Sequence, residues 1–338
     1  MRDARLVAVA DIDPFKARRL AEPHGAQWFA SLDEMLAKAK PDVVHILLTP
    51  ELHARFALQC MEAGTHVLVE KPLCLSAAEC AELEIAAARC GTVVGVNHNV
   101  AAQEPFPQLI ALIRQRRLGA IQHVSVSWSV PWGMTTFDAP LYQRHGPGAV
   151  ILETGPHPLS LVVRLLGEAH SASTLVVSNK QNRPDTWLLS LGCERGTAQC
   201  LIGIGREFTD TRVHVIGEDG SAIADLRLGY LAVTENTRFS PRFFKVGDSL
   251  EVARSVAASA ARRFLGYAGR VWQRGLTSDP AITMRASLGD FYDAIREHRR
   301  PNASVEEGLA VVRTCLRAIE AGRAVIPTRE EETCQAAM

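Results

Sequence analysis

The chain has 338 residues, of which 47% are hydrophobic and 22% are charged, a composition typical of a globular protein with about two domains. Its 37 Lys and Arg residues balance its 37 Asp and Glu residues, which argues against a nucleic-acid partner held by bulk positive charge. No apolar run approaches the ~18–20 residues of a membrane span. The apolar run at 6–10 is too short for a signal peptide.

The cysteines indicate a reducing compartment. All 8 are scattered, and none forms a Cys-x-x-Cys pair or a zinc-like cluster. We therefore expect thiols in a cytoplasmic protein.

The first hundred residues alternate buried strands with helices. Apolar runs at 6–10, 43–48, 66–69 and 93–96 predict strands. Between them, Asp13-Pro14, the Ser-x-x-Glu boxes at Ser31 and Ser76, and the periodic stretch 51–63 predict helices. This alternation predicts an α/β domain with a parallel, doubly wound sheet.

From about residue 100 the pattern changes. Residues 123–130 alternate apolar and polar, and 172–178, 186–193, 197–205 and 211–217 also read as strands. Helices are predicted at 107–117, 153–166, 281–298 and 304–322. The sequence therefore predicts an incomplete dinucleotide-binding domain over 1–98 and an α+β domain with a large, mainly antiparallel open sheet over 99–338.

Asp11, at the end of the first predicted strand, is the candidate for the adenosine ribose. In a Rossmann fold an acidic residue at the end of the second strand binds the ribose hydroxyls, and its charge would favour NAD over NADP. An ordinary helix cap explains the residue equally well. The phosphate-binding Gly-x-Gly-x-x-Gly, expected ~20 residues upstream, occurs nowhere in the chain.

Several motifs in a fixed order suggest a family. Thr49-Pro50-Glu51-Leu52-His53 follows the strand predicted at 43–48, and Glu70-Lys71-Pro72 follows the strand at 66–69. Asn97-His98 follows the strand at 93–96, and Glu153-Thr154-Gly155-Pro156-His157 comes later. In this order the chain resembles the Gfo/Idh/MocA family of sugar and inositol dehydrogenases over nearly its whole length. The resemblance implies a cis Lys71–Pro72 bond, an NAD or NADP cofactor and a homo-oligomer formed through the open sheet. The implied cofactor-binding residues are Asp11, Thr49, Pro50, His53, Glu70, Lys71 and Asn97.

The chain departs from the family where the first strand and glycine loop should be. Loss of a central strand would expose the edges of two buried strands. Two explanations stay open: the true start lies upstream of Met1, or the protein has lost its pyrophosphate cradle and with it tight dinucleotide binding.

Lys71 and His157 are the candidates for proton transfer. Lys71 lies just past a strand end, where its ammonium group can donate to the reacting oxygen. Glu153 lies four residues before His157 and, in one helix, would share its face and raise its basicity. In the family, Asp stands at the position of Glu153 and a second Asp stands at the position of Ser160. The absence of that second carboxylate puts the substrate class in doubt.

The remaining candidates are weaker. Substrate binding is assigned to Lys71, His98, Arg144 and His157, and Tyr142 and His145 lie beside Arg144. The arginine-rich segment 250–275 is predicted to be a helix that covers its domain or forms a dimer contact. The alternative is peripheral contact with a membrane surface. A metal site formed by Glu153, His157 and His98 is not predicted, because the Glu-x-x-x-His spacing is common by chance and no third ligand is indicated.

These features predict an oxidoreductase that transfers a hydride between a nicotinamide cofactor and a hydroxyl of a sugar, inositol or nucleotide sugar. The alternative is a non-catalytic, ligand-binding or regulatory relative that has lost cofactor binding. The missing glycine loop and Ser160 motivate that alternative.

Overall fold

The structure is a computed structural model that describes residues 4–131, 146–178, 184–235, 244–274 and 279–322. The chain forms two compact units: residues 1–102 with 277–312, and residues 103–276 with 313–338. The first division lies close to the predicted boundary at 98. The return of 277–312 to the first unit has no counterpart in the predicted organisation.

The first unit contains five short strands: β1 (Ala8–Ala10), β2 (Gln27–Phe29), β3 (Val43–Ile46), β4 (His66–Val69) and β5 (Val94–Val96). Its first four helices are α1 (Pro14–Ala21), α2 (Leu32–Ala39), α3 (Pro50–Glu62) and α4 (Ala77–Cys90). The second unit opens with α5 (Phe106–Arg114), β6 (Ile121–Val130), α6 (Gly148–Glu153) and α7 (Pro156–Leu166). It continues with β7 (Ala169–Ser178), β8 (Pro184–Cys193), β9 (Gly196–Ile204), β10 (Asp210–Gly217), β11 (Gly220–Asp225) and β12 (Tyr230–Glu235). The last helices are α8 (Phe244–Arg274), α9 (Asp279–Arg296) and α10 (Val305–Gly322).

The predicted helix starts in the first unit are confirmed by their caps. The Asp13 carboxylate accepts the backbone N–H of Phe15 at 3.0 Å. The Ser31 hydroxyl accepts the N–H of Glu34 at 3.2 Å, as a capping box requires. These helix starts therefore follow from local hydrogen bonding alone.

The parallel strands form two separate sheets. β1 pairs only with β2, in parallel, and β3, β4 and β5 form a three-stranded parallel sheet. Within the described ranges, β1 and β3 each have a hydrogen-bonded strand on one side only. The expectation of two exposed strand edges is therefore confirmed. Leu47, directly after β3, is 70% exposed.

The carboxyl-terminal part of the first unit packs on β5. The amide of Val96 donates to the carbonyl of Ala303 at 3.0 Å. A Cβ added to Gly95 would lie 2.7 Å from the ring of Phe291 in α9, and one added to Gly308 in α10 would lie 2.5 Å from Val96. These close approaches explain why residues 277–312 belong to the unit that begins the chain.

The second unit contains a seven-stranded sheet in the order β12-β11-β10-β6-β9-β8-β7. All neighbours are antiparallel except β6 and β9, which are parallel. Val124, Val126, Trp128 and Val130 of β6 are buried, as the alternation predicts. α7 packs on β6 and β9, so this face of the sheet forms the core of the unit.

Helix α8 covers the edge strand β12. The Ser259 hydroxyl accepts the amide of Leu231 at 3.3 Å, and the Arg263 side chain lies against Gly229. The domain-covering interpretation of the basic segment is thereby confirmed for the side chains that the structure describes. Val246 and Phe264 remain exposed. None of the helices, so far as their residues are described, is long and apolar enough to cross a bilayer.

Two histidines of the first unit predict a loss of stability in acid. Burial lowers the pKa of His45, whose ring contacts the Tyr292 hydroxyl, below its ordinary 6.5. Burial also lowers the pKa of His66, whose Nδ1 accepts the amide of Val93 at 2.9 Å and therefore must carry no proton. Both histidines favour the folded state as neutral groups. Their contribution is complete above about pH 6.5 and is lost as pH falls toward the lowered pKa values.

Urea unfolding at pH 7.5 and 5.0 measures this effect. We expect the free energy of unfolding to fall with pH in the wild type and to fall less in His45→Gln. The exposed His24 gives the matched control His24→Gln, which should behave as the wild type. An equal pH dependence in all three chains would refute the assignment.

Candidate functional site

The carboxyl ends of three parallel strands bring the motif residues to one edge. Ile46, Val69 and Val96 are aligned across β3, β4 and β5. The amide of Glu70 donates to the carbonyl of Ile46 at 3.1 Å, and that of Asn97 donates to the carbonyl of Val69 at 2.8 Å. Parallel sheets bind ligands at this edge.

Asn97 holds the Glu70 carboxylate in place. Its Nδ2 donates to Glu70 Oε1 at 2.6 Å and contacts Met284 Sδ at 2.8 Å, while its Oδ1 accepts the Ser287 hydroxyl at 3.0 Å. Asn97 is only 3% exposed. The buried Asn97 side chain thus has a structural role at the ends of the strands, and it orients the Glu70 carboxylate. Sequence reasoning missed Met284 and Ser287, because nothing local links them to residue 97.

Lys71 follows Glu70 and is half-buried. The Lys71–Pro72 peptide is cis, as the resemblance implies. The carboxyl end of β4 therefore presents a carboxylate and an ammonium group side by side in the sequence. Such a pair can orient a hydroxyl and exchange its proton.

His53 lies beneath this turn. It is 1% exposed, and its ring nitrogens lie 2.6 Å from the carbonyl oxygen of Pro72 and 2.9 Å from that of Leu48. Thr49 is the exposed N-cap of α3, and Pro50 is its first residue. Among these three predicted cofactor residues, His53 is buried, Pro50 is half-buried and Thr49 is exposed.

His98 is 2% exposed, and its Nδ1 lies 3.3 Å from Glu307 Oε1 at the start of α10. The residue predicted to touch substrate is thus engaged by a carboxylate within the same unit. Glu307 is a further residue that sequence reasoning missed, because more than two hundred positions separate the pair.

Asp11 occupies the end of β1. Its Oδ1 accepts the amide of Asp13 at 2.8 Å, and its own amide donates to the carbonyl of Phe29 at 3.2 Å. The half-buried carboxylate is thereby held at the strand end with acceptor capacity left for ribose hydroxyls. The carboxylate at the end of β1 has the acceptor chemistry that the ribose hydroxyls of a dinucleotide require. The 338 residues contain no Gly-x-Gly-x-x-Gly for its pyrophosphate.

Glu153 and His157 belong to the second unit. Glu153 is the last residue of α6, and His157 is the second residue of α7. The prediction of one regular helix over 153–166 is therefore wrong at its start. The amide of Gly155 donates five residues back to Val150, and that of His157 donates three residues back to Thr154, so the helical bonding changes between the two candidates.

His157 stacks on Trp128 of β6. The ring centroids are 5.4 Å apart and the planes meet at 16°. Ser160, which is fully buried, donates its hydroxyl to the carbonyl of His157 at 2.8 Å. Ser160 therefore supports the first turn of α7 instead of offering a carboxylate.

Gly155 permits the junction between α6 and α7. A Cβ at this position would lie 2.2 Å from the carbonyl oxygen of Ile151, which is backbone and cannot rotate away. We expect Gly155→Ala to destabilise the protein by about 1–3 kcal/mol or more in urea unfolding. Gly289, in helix α9, has nothing within 4 Å and gives the control Gly289→Ala, which should be neutral or stabilising. Equal stability of the two variants would contradict this account.

Three predicted pocket residues, Tyr142, Arg144 and His145, lie outside the described residues. Across the ranges that are described, no group of three or more His, Cys, Asp and Glu side chains is arranged to hold a metal ion.

Two family models match this chain. Residues 1–98 match the model described as "Oxidoreductase family, NAD-binding Rossmann fold", and residues 106–223 match "GFO/IDH/MocA C-terminal domain". Together the two models of one family span both units and more than half of the chain.

Curated relatives and solved structures agree with these matches. The chain is 27% identical over 301 residues to dTDP-3,4-didehydro-2,6-dideoxy-alpha-D-glucose 3-reductase of Streptomyces violaceoruber, and the match covers 86% of each chain. It is 25% identical over 296 residues to 1,5-anhydro-D-fructose reductase of Ensifer adhaerens, covering 86% of this chain and 80% of that one. The WlbA dehydrogenase from Bordetella pertussis, solved with NADH and UDP-GlcNAcA, has a TM-score of 0.73 at 18% identity, covering 95% of this chain and 89% of that one. At that identity the structural likeness shows the fold alone.

Proposed function

Because the chain belongs to the Gfo/Idh/MocA family of oxidoreductases, we propose that it transfers a hydride between NAD and a hydroxyl-bearing carbon of a sugar, inositol or nucleotide sugar. The observation that carries the proposal is the Glu70-Lys71 pair at the carboxyl end of β4, where Asn97 orients the Glu70 carboxylate. The names of the relatives, which are sugar and nucleotide-sugar reductases, support the substrate class.

The chemistry divides between cofactor and protein. A bound nicotinamide supplies the site that accepts or gives the hydride. Lys71 donates a hydrogen bond from Nζ to the reacting oxygen and thereby stabilises the charge that develops there. The His157 imidazole takes the hydroxyl proton as general base in oxidation and returns it as general acid in reduction. Glu153 and His157 belong to different helices, so the expected sharing of one helix face does not support a role for Glu153 in this step.

Asp11 sets the cofactor preference. Its carboxylate accepts hydrogen bonds from ribose hydroxyls and repels the 2′-phosphate of NADPH, so we expect tighter binding of NADH. In Asp11→Asn the ratio of the NADPH to the NADH dissociation constant should fall by about tenfold or more. Loss of about 1.4 kcal/mol of repulsion is enough to change a dissociation constant by that factor. Fluorescence titration of wild type and variant with both cofactors measures it. An unchanged preference ratio would remove Asp11 from the ribose site.

The function itself is tested in two steps. The purified chain is first titrated with NADH by calorimetry, and then screened for NAD reduction with free sugars, inositols and nucleotide sugars. We expect binding and turnover in one substrate class. A folded chain that binds no cofactor up to millimolar concentration would overturn the enzymatic proposal for these 338 residues and favour the non-catalytic alternative.

We further propose a cytoplasmic homo-oligomer. The seven cysteines within the described ranges are thiols and form no disulfide, which suits a reducing compartment. On the seven-stranded sheet, Leu175, Leu188 and Leu201 are aligned side by side across β7, β8 and β9, and the first two are exposed. Such an apolar strip on an open sheet favours self-association. Light scattering on Leu188→Lys should show a smaller species than the wild type.

A further inference from the structure

The ring of His53 makes an unusual pair of contacts inside the first unit. Nδ1 lies 2.6 Å from the carbonyl oxygen of Pro72, and Nε2 lies 2.9 Å from the carbonyl oxygen of Leu48. The residue is 1% exposed, so water does not supply an alternative partner at the surface. Both contacts are within hydrogen-bond distance.

Carbonyl oxygens only accept hydrogen bonds, so a ring nitrogen of His53 that carries a proton donates to the carbonyl that it faces. The imidazole therefore holds at least one of the two carbonyls by a hydrogen bond and lies in contact with the other.

The two carbonyls belong to the two turns that build the site. Leu48 immediately precedes Thr49, the N-cap of α3, and Pro72 immediately follows Lys71. His53 itself belongs to the first turns of α3, where its neighbour Ala54 is also buried. The ring thus connects the β3–α3 turn to the turn that carries Lys71.

We propose that His53 is a positioning residue that, through the contacts of its ring with the Pro72 and Leu48 carbonyls, fixes the Lys71–Pro72 turn and so the location of the Lys71 ammonium group. The catalytic meaning of this position rests on the function proposed above for Lys71. The structural link does not depend on a bound cofactor or on turnover.

The first test follows Lys71 directly. The chain has only six lysines, at 16, 38, 40, 71, 180 and 245. Reductive methylation with ¹³C-formaldehyde gives each a separate NMR signal, and Lys71→Arg identifies the one that belongs to Lys71. We expect His53→Ala to shift and broaden the Lys71 signal while the other five stay in place. His53→Asn, which keeps one amide donor, should have a smaller effect.

The second test follows the reaction. Where the wild type turns over, kcat of His53→Asn should fall by about 10–100-fold with the substrate KM nearly unchanged, because a misplaced group costs chemistry more than binding. Where the wild type is inactive, the proposed function fails but the NMR test on Lys71 still decides this inference.

One result would overturn the proposal: a His53→Ala chain that melts at lower temperature but keeps the wild-type Lys71 signal. That combination describes a residue with a purely structural role.

Discussion

Replacing Lys71 by methionine is expected to lower kcat by roughly 10²–10⁴-fold, the usual contribution of a positioned proton donor. Methionine keeps the length and apolar stem of the side chain but removes the ammonium group. The hydrogen bonds from Asn97 to Glu70 and from Ser287 to Asn97 do not depend on the residue at position 71 for a donor or an acceptor. The loss should therefore appear in kcat, measured by steady-state NADH absorbance, with the NADH dissociation constant changed little.

Two further variants separate charge from general damage. Lys71→Arg keeps a positive charge but offers a planar donor of different reach, so it should recover only part of the activity. Lys38, whose side chain pairs on the surface with Glu34, gives the matched control Lys38→Met, which should turn over as the wild type. Wild-type kcat in Lys71→Met would exclude Lys71 from the reaction.

The second large effect is expected at His157. His157→Phe keeps an aromatic ring against Trp128, so the stacking at 5.4 Å is preserved, but it removes both nitrogens. We expect kcat to fall by roughly 10²–10⁴-fold and the remaining activity to lose the limb of the pH–rate profile that reports the general base. The measurement is kcat and kcat/KM from pH 5 to 10 for both chains, over the range in which each stays folded.

Ser160 offers the control for His157. Ser160→Ala removes the hydrogen bond to the carbonyl of His157, so it should cost about 1 kcal/mol of stability without changing the pH profile. A His157→Phe chain that keeps its pH profile would show that another group moves the proton.

Local signals in the sequence predicted much of the fold. The caps at Asp13, Ser31 and Ser76 depend on residues within three positions of each other, so the sequence contains the whole interaction. The cis bond before Pro72 was expected from the family resemblance, which rests on the contiguous Glu70-Lys71-Pro72 motif, and it is confirmed. The alternation over 123–130 predicted the buried face of β6, because side chains in a strand alternate strictly between faces.

Long-range contacts could not be predicted in the same way. Glu307 approaches His98, and Met284 and Ser287 approach Asn97, only because α9 and α10 return to β5. Nothing within a window around residue 97 contains that information. The break between Glu153 and His157 was missed for a different reason. Thr154 and Gly155 keep helical dihedral angles, so the change lies in hydrogen bonding that sequence periodicity does not report.

The one-sided pairing of β1 and β3 has a consequence for solution experiments. Backbone amides on the unpaired sides of these strands have no partner strand in the described ranges, so their hydrogens should exchange with deuterium within seconds while those of β4 are protected. Exposed Ile12 and Leu47 lie directly beside the two edges. Concentrated samples can therefore associate edge to edge, and such particles would add to the light scattering of any oligomer formed through the leucines of the larger sheet. Slowed exchange at β1 and β3 with rising protein concentration would identify the edge-paired species, and unchanged exchange would leave the larger sheet as the interface.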